Sequence, residues 1–506
     1  MRILAMDNPG AVFQNACIAD PRGIFWRHDM KTFLNTINGK SAGSDRTFAS
    51  YNPATGETLG MVPHSSDDQV AQAVAAAKAA QPGWAALPDG ERKALMMKVA
   101  DLLKENSEVL AEWVVREQGK PLGGVGPDQV PGARFEAWGC EAWTRVPANL
   151  DLPVDVVFED ETRRDEMHRK PYGVIAAVAP WNWPLLIAIW QIIPGLRTGS
   201  TVVIKPSEYT SIGTLEMVRM ISEALPPGVL NTVSGPGEVG AALVGHPDVD
   251  KILFTGSAAT GSRIAEIAAR NLTPTTMELG GNDAAIVLPD ADPQQIAMSI
   301  FWGAFINMGQ TCAAAKRIYV HESKYEAMVA ALKAIATQMP MGNGMDAGVV
   351  MGPIQNRMQY SKVVGLVEKA RQEGATIVCG GQEPGGRGNF YPLTLVSHIK
   401  DGAALVDQEQ FGPVLPIISY KNVEDAIASA NRLDVGLGAS VWSNDVQQAK
   451  AVASRIQAGT VWINQHGMIH PMVPFGGVKK SGWGSEGGID GLKAVTVPQV
   501  ISIKKG

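Results

Sequence analysis

The sequence predicts an α/β fold: two parallel-sheet domains with a small β element beside them. Three observations carry this. Short β-rich runs alternate with helical runs over residues 173–290, and a second alternating series follows to residue 463. Strands alternating with helices imply parallel sheets covered on both faces. The chain has 506 residues, and at about 150 per domain this leaves room for about three domains. Two extended segments, 152–170 and 494–503, belong to no strand–helix–strand unit and are free to pair outside the main sheets.

Residues 1–29 carry neither a secretory signal nor an organised pattern, and are expected to lie outside the fold. A strand-like run follows at 33–37. Ser66-Asp67-Asp68-Gln69 is a capping box opening a helix with Val70, Val74 and Ala77 on one face, punctuated at its end by Gly83 and Pro88. One long helix is expected over 91–118, and a Gly/Pro-rich loop over 121–133. The first series places strands at 174–178, 201–204, 231–234, 251–255 and 284–288, with helices near 211–224, 237–245 and 259–270. The second places strands at 317–321, 376–378, 414–420 and 460–463, with helices near 322–338, 356–373, 423–431 and 446–457.

Composition narrows the function classes. The chain is 45% hydrophobic and 19% charged, enough apolar content for a large core. Its 44 basic and 50 acidic residues give a net charge of −6, and no Lys/Arg block points to nucleic acid or a membrane surface. Residues 171–196 contain no charge, a length that could span a bilayer, but Pro180, Pro184 and Pro194 interrupt the run and Asn182 and Gln191 lie within it. A buried strand–loop–helix is expected there, because lipid cannot satisfy the freed backbone groups. The four cysteines, Cys17, Cys140, Cys312 and Cys379, form no CxxC pair. A disulfide scaffold and a zinc ribbon are therefore excluded, no metal is expected, and a reduced cytoplasm fits.

Several motifs carry chemistry. Gly235-Pro236-Gly237-Glu238-Val239-Gly240 matches GxGxxG, a weak signal in a chain with 54 glycines. Phe254-Thr255-Gly256-Ser257 is better placed, ending a strand and opening a helix, where free N–H groups meet an anion. Ser257 also reads simply as a helix cap. Cys312, in Gly309-Gln310-Thr311-Cys312, is either a buried structural cysteine or a nucleophile beside small residues Ala313, Ala314 and Ala315. Glu278, in an apolar strand before Gly280-Gly281, is either an ion-paired structural carboxylate or a catalytic one.

Read together, the motifs decide between these. Pro180-Trp181-Asn182-Trp183-Pro184, Lys205-Pro206-Ser207-Glu208, Phe254-Thr255-Gly256-Ser257, Met277-Glu278-Leu279-Gly280-Gly281, Gly309-Gln310-Thr311-Cys312, Glu409-Gln410-Phe411-Gly412-Pro413 and Pro474-Phe475-Gly476-Gly477 follow one another in order, with Cys312 standing 34 positions after Glu278. From residue 33 to 503 the chain resembles the aldehyde dehydrogenase superfamily. The resemblance implies two Rossmann-like domains and a bridging, oligomerising β element. The cofactor-binding domain would comprise 30–148 and 171–278, the catalytic domain 279–488, and the bridging element 149–170 and 489–506.

It also implies roles. Cys312 would attack the aldehyde carbonyl, Asn182 and the Cys312 N–H would hold the oxyanion, and Glu278 would activate water against the thioester. Lys205 and Glu208 match the pair that binds the adenosine ribose, with Ser207 between them. Gly256 and Ser257 match the pyrophosphate contact, and Glu409 the nicotinamide-ribose contact, with Phe411 and Trp181 beside the cofactor. The Gly235–Gly240 loop would lie near the adenine. A carboxylate at Glu208 accepts a ribose hydroxyl and repels a 2′-phosphate, so NAD is expected over NADP, although Lys205 and Ser207 could soften this.

The resemblance places Trp183, Ile187, Trp190, Thr311, Ile469 and Phe475 around the aldehyde tunnel. No Arg or Lys is evident there to clamp a substrate carboxylate, so an apolar aliphatic, aromatic or terpenoid aldehyde is expected rather than a semialdehyde acid. His466 and His470, in the loop 465–471, are expected to be bystanders. Trp183 and Asn282 depart from the more usual Phe and Lys. A homodimer or homotetramer is expected through the bridging segments. A CoA-acylating enzyme would have no use for Glu278, and an inactive binding protein of the same fold would be expected to lack Cys312 or Glu278.

Overall fold

The computed structural model describes residues 31–124 and 131–506. The expectation for residues 1–29 lies outside them. Two large sheets dominate. The first has six strands in the order Gly482–Trp483, Thr275–Leu279, Lys251–Gly256, Val174–Val178, Thr201–Lys205 and Leu230–Thr232; all but the first run parallel. The second has seven, in the order Thr376–Cys379, Thr394–Ser397, Val414–Tyr420, Ala315–His321, Asp283–Val287, Gly438–Trp442 and Thr460–Ile463, with only the first antiparallel.

The first sheet shows why its strands read as continuous apolar runs. Side chains alternate between faces, and both faces are covered. Ile175, Ala177 and Ile204 pack toward the helix Pro184–Arg197, while Val174, Ala176 and Val203 pack toward Val70, Val74 and Ala77 of the helix Asp67–Ala86. The uncharged run is this strand and the following helix, both buried, with Pro184 at the helix start where its missing N–H costs nothing. Among the described residues, no helix is long and apolar enough to cross a membrane.

The third sheet lies apart. Thr496–Lys504 pairs antiparallel with Arg163–Pro171, which pairs in turn with Asp155–Glu159. These are the two extended segments that fit no strand–helix–strand unit. Thr496–Lys504 is exposed along nearly its whole length.

Several boundaries differ from expectation. The helix expected over 91–118 is three pieces, Asp89–Glu105, Ser107–Trp113 and a π-helical turn Val114–Gln118. Asn106 divides the first two: its side-chain amide donates to the Leu102 carbonyl, a local bond that competes with the helix ladder. The capping-box helix runs through Pro82 and Gly83 to Ala86. The strand expected at 231–234 is Leu230–Thr232, and the helix expected over 446–457 ends at Ala453. Sequence patterning missed the strands Thr394–Ser397 and Gly438–Trp442, the hairpin Thr47–Tyr51 with Thr58–Pro63, and the helix Ala133–Asn149.

Candidate active site

In the first sheet the parallel strands stand in the chain order fifth, fourth, first, second, third, so the connections reverse direction between Val174–Val178 and Lys251–Gly256. Ligands of such sheets bind in the crevice beyond the carboxyl ends of the strands, at that reversal. Trp181 and Asn182 follow the first strand, Lys205, Ser207 and Glu208 end the second, Gly256 and Ser257 end the fourth, and Glu278 ends the fifth. The expected cofactor residues of this sheet thus converge by topology. Glu409 and Phe411 reach the same crevice from the second half: Glu409 Oε1 accepts from the Gly281 N–H at 3.3 Å, and the Phe411 ring meets Trp181 edge-on at 5.4 Å.

These residues fit a dinucleotide. Ser257 caps the helix Ala258–Asn271, its hydroxyl accepting from the Thr260 N–H, while the Ala258 and Ala259 N–H groups have no protein acceptor among the described residues. A helix start with free donors suits a pyrophosphate. A side chain at Gly256 would come within 2.5 Å of the Phe254 ring, and one at Gly280 within 2.4 Å of Glu409 Oε2, so bare backbone is required along the crevice. Lys205 is buried, its ammonium donating to the Pro206 carbonyl at 2.9 Å and lying 3.8 Å from Glu208, which is half-exposed. Ser207 turns its hydroxyl toward the Tyr209 N–H at 3.4 Å.

The cysteine loop is built differently. The helix Pro293–Phe305 ends in a turn where Asn307 and Met308 adopt left-handed backbone, at φ 52° and 58°, followed by Gly309 at 68°. Left-handed backbone at a residue with a side chain costs about 1–2 kcal/mol, and such strain persists only where surroundings enforce it. Here they do. Asn307 Nδ2 donates to the Asn182 carbonyl at 2.8 Å, Gln310 Nε2 donates to the Asn307 carbonyl, and Asn182 Nδ2 donates to the Gln310 carbonyl at 3.0 Å. Asn182 and the cysteine loop are thereby locked together. Burial pushes the Cys312 thiol up to about 12; the Lys316 ammonium opposes this, while Glu278, Glu409 and Asp283 reinforce it. Among the described residues nothing accepts the Cys312 N–H.

Glu278 is 4% exposed, and neither carboxylate oxygen has a hydrogen-bond partner. Burial, then the nearby Glu486 carboxylate, holds its carboxyl well above the usual range. A side chain at Gly476 would come within 2.6 Å of the Gly484 carbonyl and 3.3 Å of Glu278 Oε1, so the backbone beside the carboxylate stays bare. Glu486 itself is pushed up to about 7 by burial. Sequence reasoning passed over it, although a charge within Gly484-Ser485-Glu486-Gly487-Gly488 was a usable signal.

The residues expected around the tunnel are apolar and aromatic here. Trp183, Ile187 and Phe475 are buried, and Trp190 and Ile469 pack against the same core. Trp183 Nε1 donates to Thr311 Oγ1 at 3.0 Å, tying this wall to the residue before Cys312. Trp190 stacks on Trp143 with ring centres 4.1 Å apart and meets Phe475 edge-on at 6.5 Å. Trp143 comes from the missed helix Ala133–Asn149. A lysine stands at this wall: Lys120 Nζ lies 4.0 Å from the Trp183 ring centre, but it is spent on Glu136 at 2.7 Å and on the Asn182 carbonyl. His466 is held inside the protein. It is buried, with Nδ1 2.9 Å from Ser440 Oγ and Nε2 3.6 Å from Asp283, while His470 is exposed. Among the described residues no cluster of His, Cys, Asp or Glu could hold a metal.

The chain matches known proteins over most of its length. The family model "Aldehyde dehydrogenase family" matches residues 40–501. Phenylacetaldehyde dehydrogenase of Pseudomonas fluorescens is 38% identical over 92% of this chain and 94% of its own, and aldehyde dehydrogenase 1A1 of Homo sapiens is 37% identical over 94% and 95%. Among solved structures, the NAD+ complex of an aldehyde dehydrogenase from Bacillus cereus superposes with a TM-score of 0.90 at 33% identity, covering 94% of this chain and 97% of that one. The chain belongs to the aldehyde dehydrogenase family and is an oxidoreductase of that kind.

Proposed function

We propose that this enzyme oxidises an apolar aldehyde, aromatic or aliphatic, to its carboxylic acid with NAD+, through a covalent intermediate on Cys312. The observation that carries the reading is Glu278: a buried carboxylate with both oxygens free, behind bare glycine backbone, close enough to Cys312 to raise its thiol. A buried charge without a partner is costly, and a carboxyl whose pKa is raised by burial is, once ionised, a stronger base toward water than an ordinary carboxylate.

In this reading Glu278 first takes the Cys312 thiol proton and passes it to solvent, the thiolate Sγ bonds the aldehyde carbon, and the Asn182 amide and the Cys312 N–H hold the resulting oxyanion. When bound, the cofactor supplies the acceptor for the hydride. Loss of hydride from the aldehyde carbon leaves a thioester on Cys312. Glu278 then takes a proton from water, the hydroxide adds to the thioester carbon, and the acid leaves as the Cys312 thiolate returns. Lys205, Ser207, Glu208, Gly256, Ser257, Trp181, Glu409 and Phe411 hold the cofactor. Glu208 favours NAD+, because a carboxylate accepts ribose hydroxyls and repels a phosphate.

The stacked Trp143 and Trp190, with Trp183, Ile187, Ile469, Thr311 and Phe475, favour an apolar substrate. Lys120 does not alter this, being paired already. The 38% identity to a phenylacetaldehyde dehydrogenase supports the aromatic end of the range. We divide the chain into a cofactor-binding part at 30–148 and 171–278, a catalytic part at 279–488, and a bridging part at 149–170 and 489–506. The exposed strand Thr496–Lys504 supports a homodimer or homotetramer, and four scattered cysteines with no CxxC pair fit a reduced cytoplasm.

The test is an aldehyde panel read by absorbance of reduced cofactor, with and without CoA. Arylacetaldehydes and medium aliphatic aldehydes should give acid without CoA, with NAD+ preferred. Equal or better kcat/KM with NADP+ refutes the cofactor reading, CoA-dependent product refutes Glu278 as base, and silence with every aldehyde indicates a binding protein. Light scattering that shows only monomer refutes the oligomer.

A further inference from the structure

Lys316 is absent from the chemistry above, yet it is the cation nearest the nucleophile loop. It opens the strand Ala315–His321, four residues after Cys312, and its side chain is 2% exposed. Its ammonium donates to the Thr311 carbonyl at 2.6 Å and the Cys312 carbonyl at 3.1 Å, and lies 3.4 Å from Glu409 Oε1. An ammonium has three protons, and these are three acceptors. The backbone of Lys316 is fixed as well, its carbonyl accepting from Gln410 Nε2 at 2.8 Å.

This tripod has a geometric consequence. A trans peptide is planar, with its C=O and N–H pointing in opposite directions. The Thr311 carbonyl and the Cys312 N–H share one peptide. With the carbonyl drawn to Lys316, the N–H must point the other way, and it is the donor that no protein group takes up. We propose that Lys316 is a positioning residue for this reaction: its tripod aims the Cys312 N–H as an oxyanion donor, and its charge, shared with Glu409, sets how readily Cys312 becomes a thiolate. This rests on the assignment of Cys312 as nucleophile.

The sharing with Glu409 makes the proposal directional. Glu409 neutralises Lys316 and also places its own negative charge near the sulfur. Among the groups acting on the Cys312 thiol, Lys316 alone lowers it, against Glu278, Glu409 and Asp283. Removing Lys316 should therefore hinder thiolate formation and removing the Glu409 charge should help it, although the two residues belong to one ion pair. A purely structural pair would respond in the same direction to loss of either partner.

The experiment is the rate of iodoacetamide alkylation of Cys312 in cofactor-free enzyme at several pH values, followed by mass spectrometry of the Cys312 peptide. Thiolate is the reacting species, so below the midpoint the rate at fixed pH follows the thiol pKa. Lys316→Met should alkylate about tenfold more slowly at each pH, equivalent to about one pKa unit, and Lys316→Arg should recover most of the rate. Glu409→Gln should alkylate severalfold faster than wild type. In turnover, Lys316→Met should lower kcat with little change in KM. If Lys316→Met does not fold, Lys316→Arg and Glu409→Gln still decide. The proposal is overturned if Glu409→Gln is no faster than wild type, or if Lys316→Met matches wild type. If full alkylation of Cys312 leaves turnover intact, the nucleophile assignment falls, and this proposal with it.

Discussion

The two large sheets supply the site in opposite ways. The first offers backbone: strand ends, a helix start at Ala258 and glycines at Gly256 and Gly280 that let a ligand approach. The second offers Cys312 from the amino end of the strand Ala315–His321, held by strained backbone at Asn307 and Met308 and by buried ions, with Lys316 shared between Glu409 and two carbonyls. The first half has one such ion pair of its own, Lys120 with Glu136, which is fully buried: Lys120 holds the Asn182 carbonyl, and Glu136 Oε1 accepts from the Leu185 N–H at 2.9 Å. Backbone-built binding tolerates side-chain change, whereas charge-built positioning fails when one partner is lost.

The largest expected effect falls on the second half. Cys312→Ala removes the atom proposed to bond substrate, and kcat should fall by about a thousandfold or more while cofactor still binds. Measurable turnover near wild type would place the chemistry elsewhere. Stability should separate buried charge pairing from exposed ligand contact next. Glu136→Gln leaves the Lys120 ammonium buried without its counter-ion and should cost about 3–5 kcal/mol in urea unfolding. Glu208→Gln, on a half-exposed side chain of the first half, should cost about 0.5 kcal/mol or less yet raise use of NADP+ relative to NAD+. Equal destabilisation by the two would erase the distinction.

The pH dependence comes third. Both Glu278 and Glu486 are held above the ordinary carboxyl range, Glu486 at about 7. A base must be ionised, and a raised carboxyl ionises only as pH climbs through its raised value. Deacylation should therefore strengthen as pH rises through the raised value of Glu278 and fade as pH falls below it. Glu486→Gln removes the neighbouring charge and should move this limb to lower pH. A limb that stays put means that Glu486 does not act on Glu278. The smallest effect on turnover belongs to Trp183→Phe, which keeps an aromatic wall and loses the hydrogen bond to Thr311, about 1 kcal/mol or roughly fivefold in kcat/KM. A loss of a hundredfold would make Trp183 more than a wall.

What the sequence disclosed follows the same division. Backbone-built features leave local marks: Val174–Val178 and Thr460–Ile463 stand at the residues their apolar runs predict, and Gly256-Ser257 stands where a strand meets a helix. Glu278 and Cys312 were local oddities, an acid among apolar residues and a cysteine before three alanines, and only the ordered set of motifs singled them out as candidates. The ion pairs were not. Lys120 and Glu136 are unremarkable until the helix Ala133–Asn149 brings them to 2.7 Å, and that helix has no side-chain cap to announce its start. Gly438–Trp442 was missed because Gly-Ala-Ser gives little strand signal; its burial comes from neighbouring strands and from Asp283 Oδ1, which accepts the Gly438 N–H at 3.0 Å.

The central claim is that Glu278, from the first sheet, and Cys312, from the second, perform successive halves of one reaction. Rapid mixing of Glu278→Gln with NAD+ and phenylacetaldehyde tests it directly. The account predicts a burst of about one reduced cofactor per subunit, then a steady rate at least a hundredfold below wild type, with the acyl group recovered on the Cys312 peptide. Steady turnover at the wild-type rate, or a burst with no acyl group on Cys312, would contradict it.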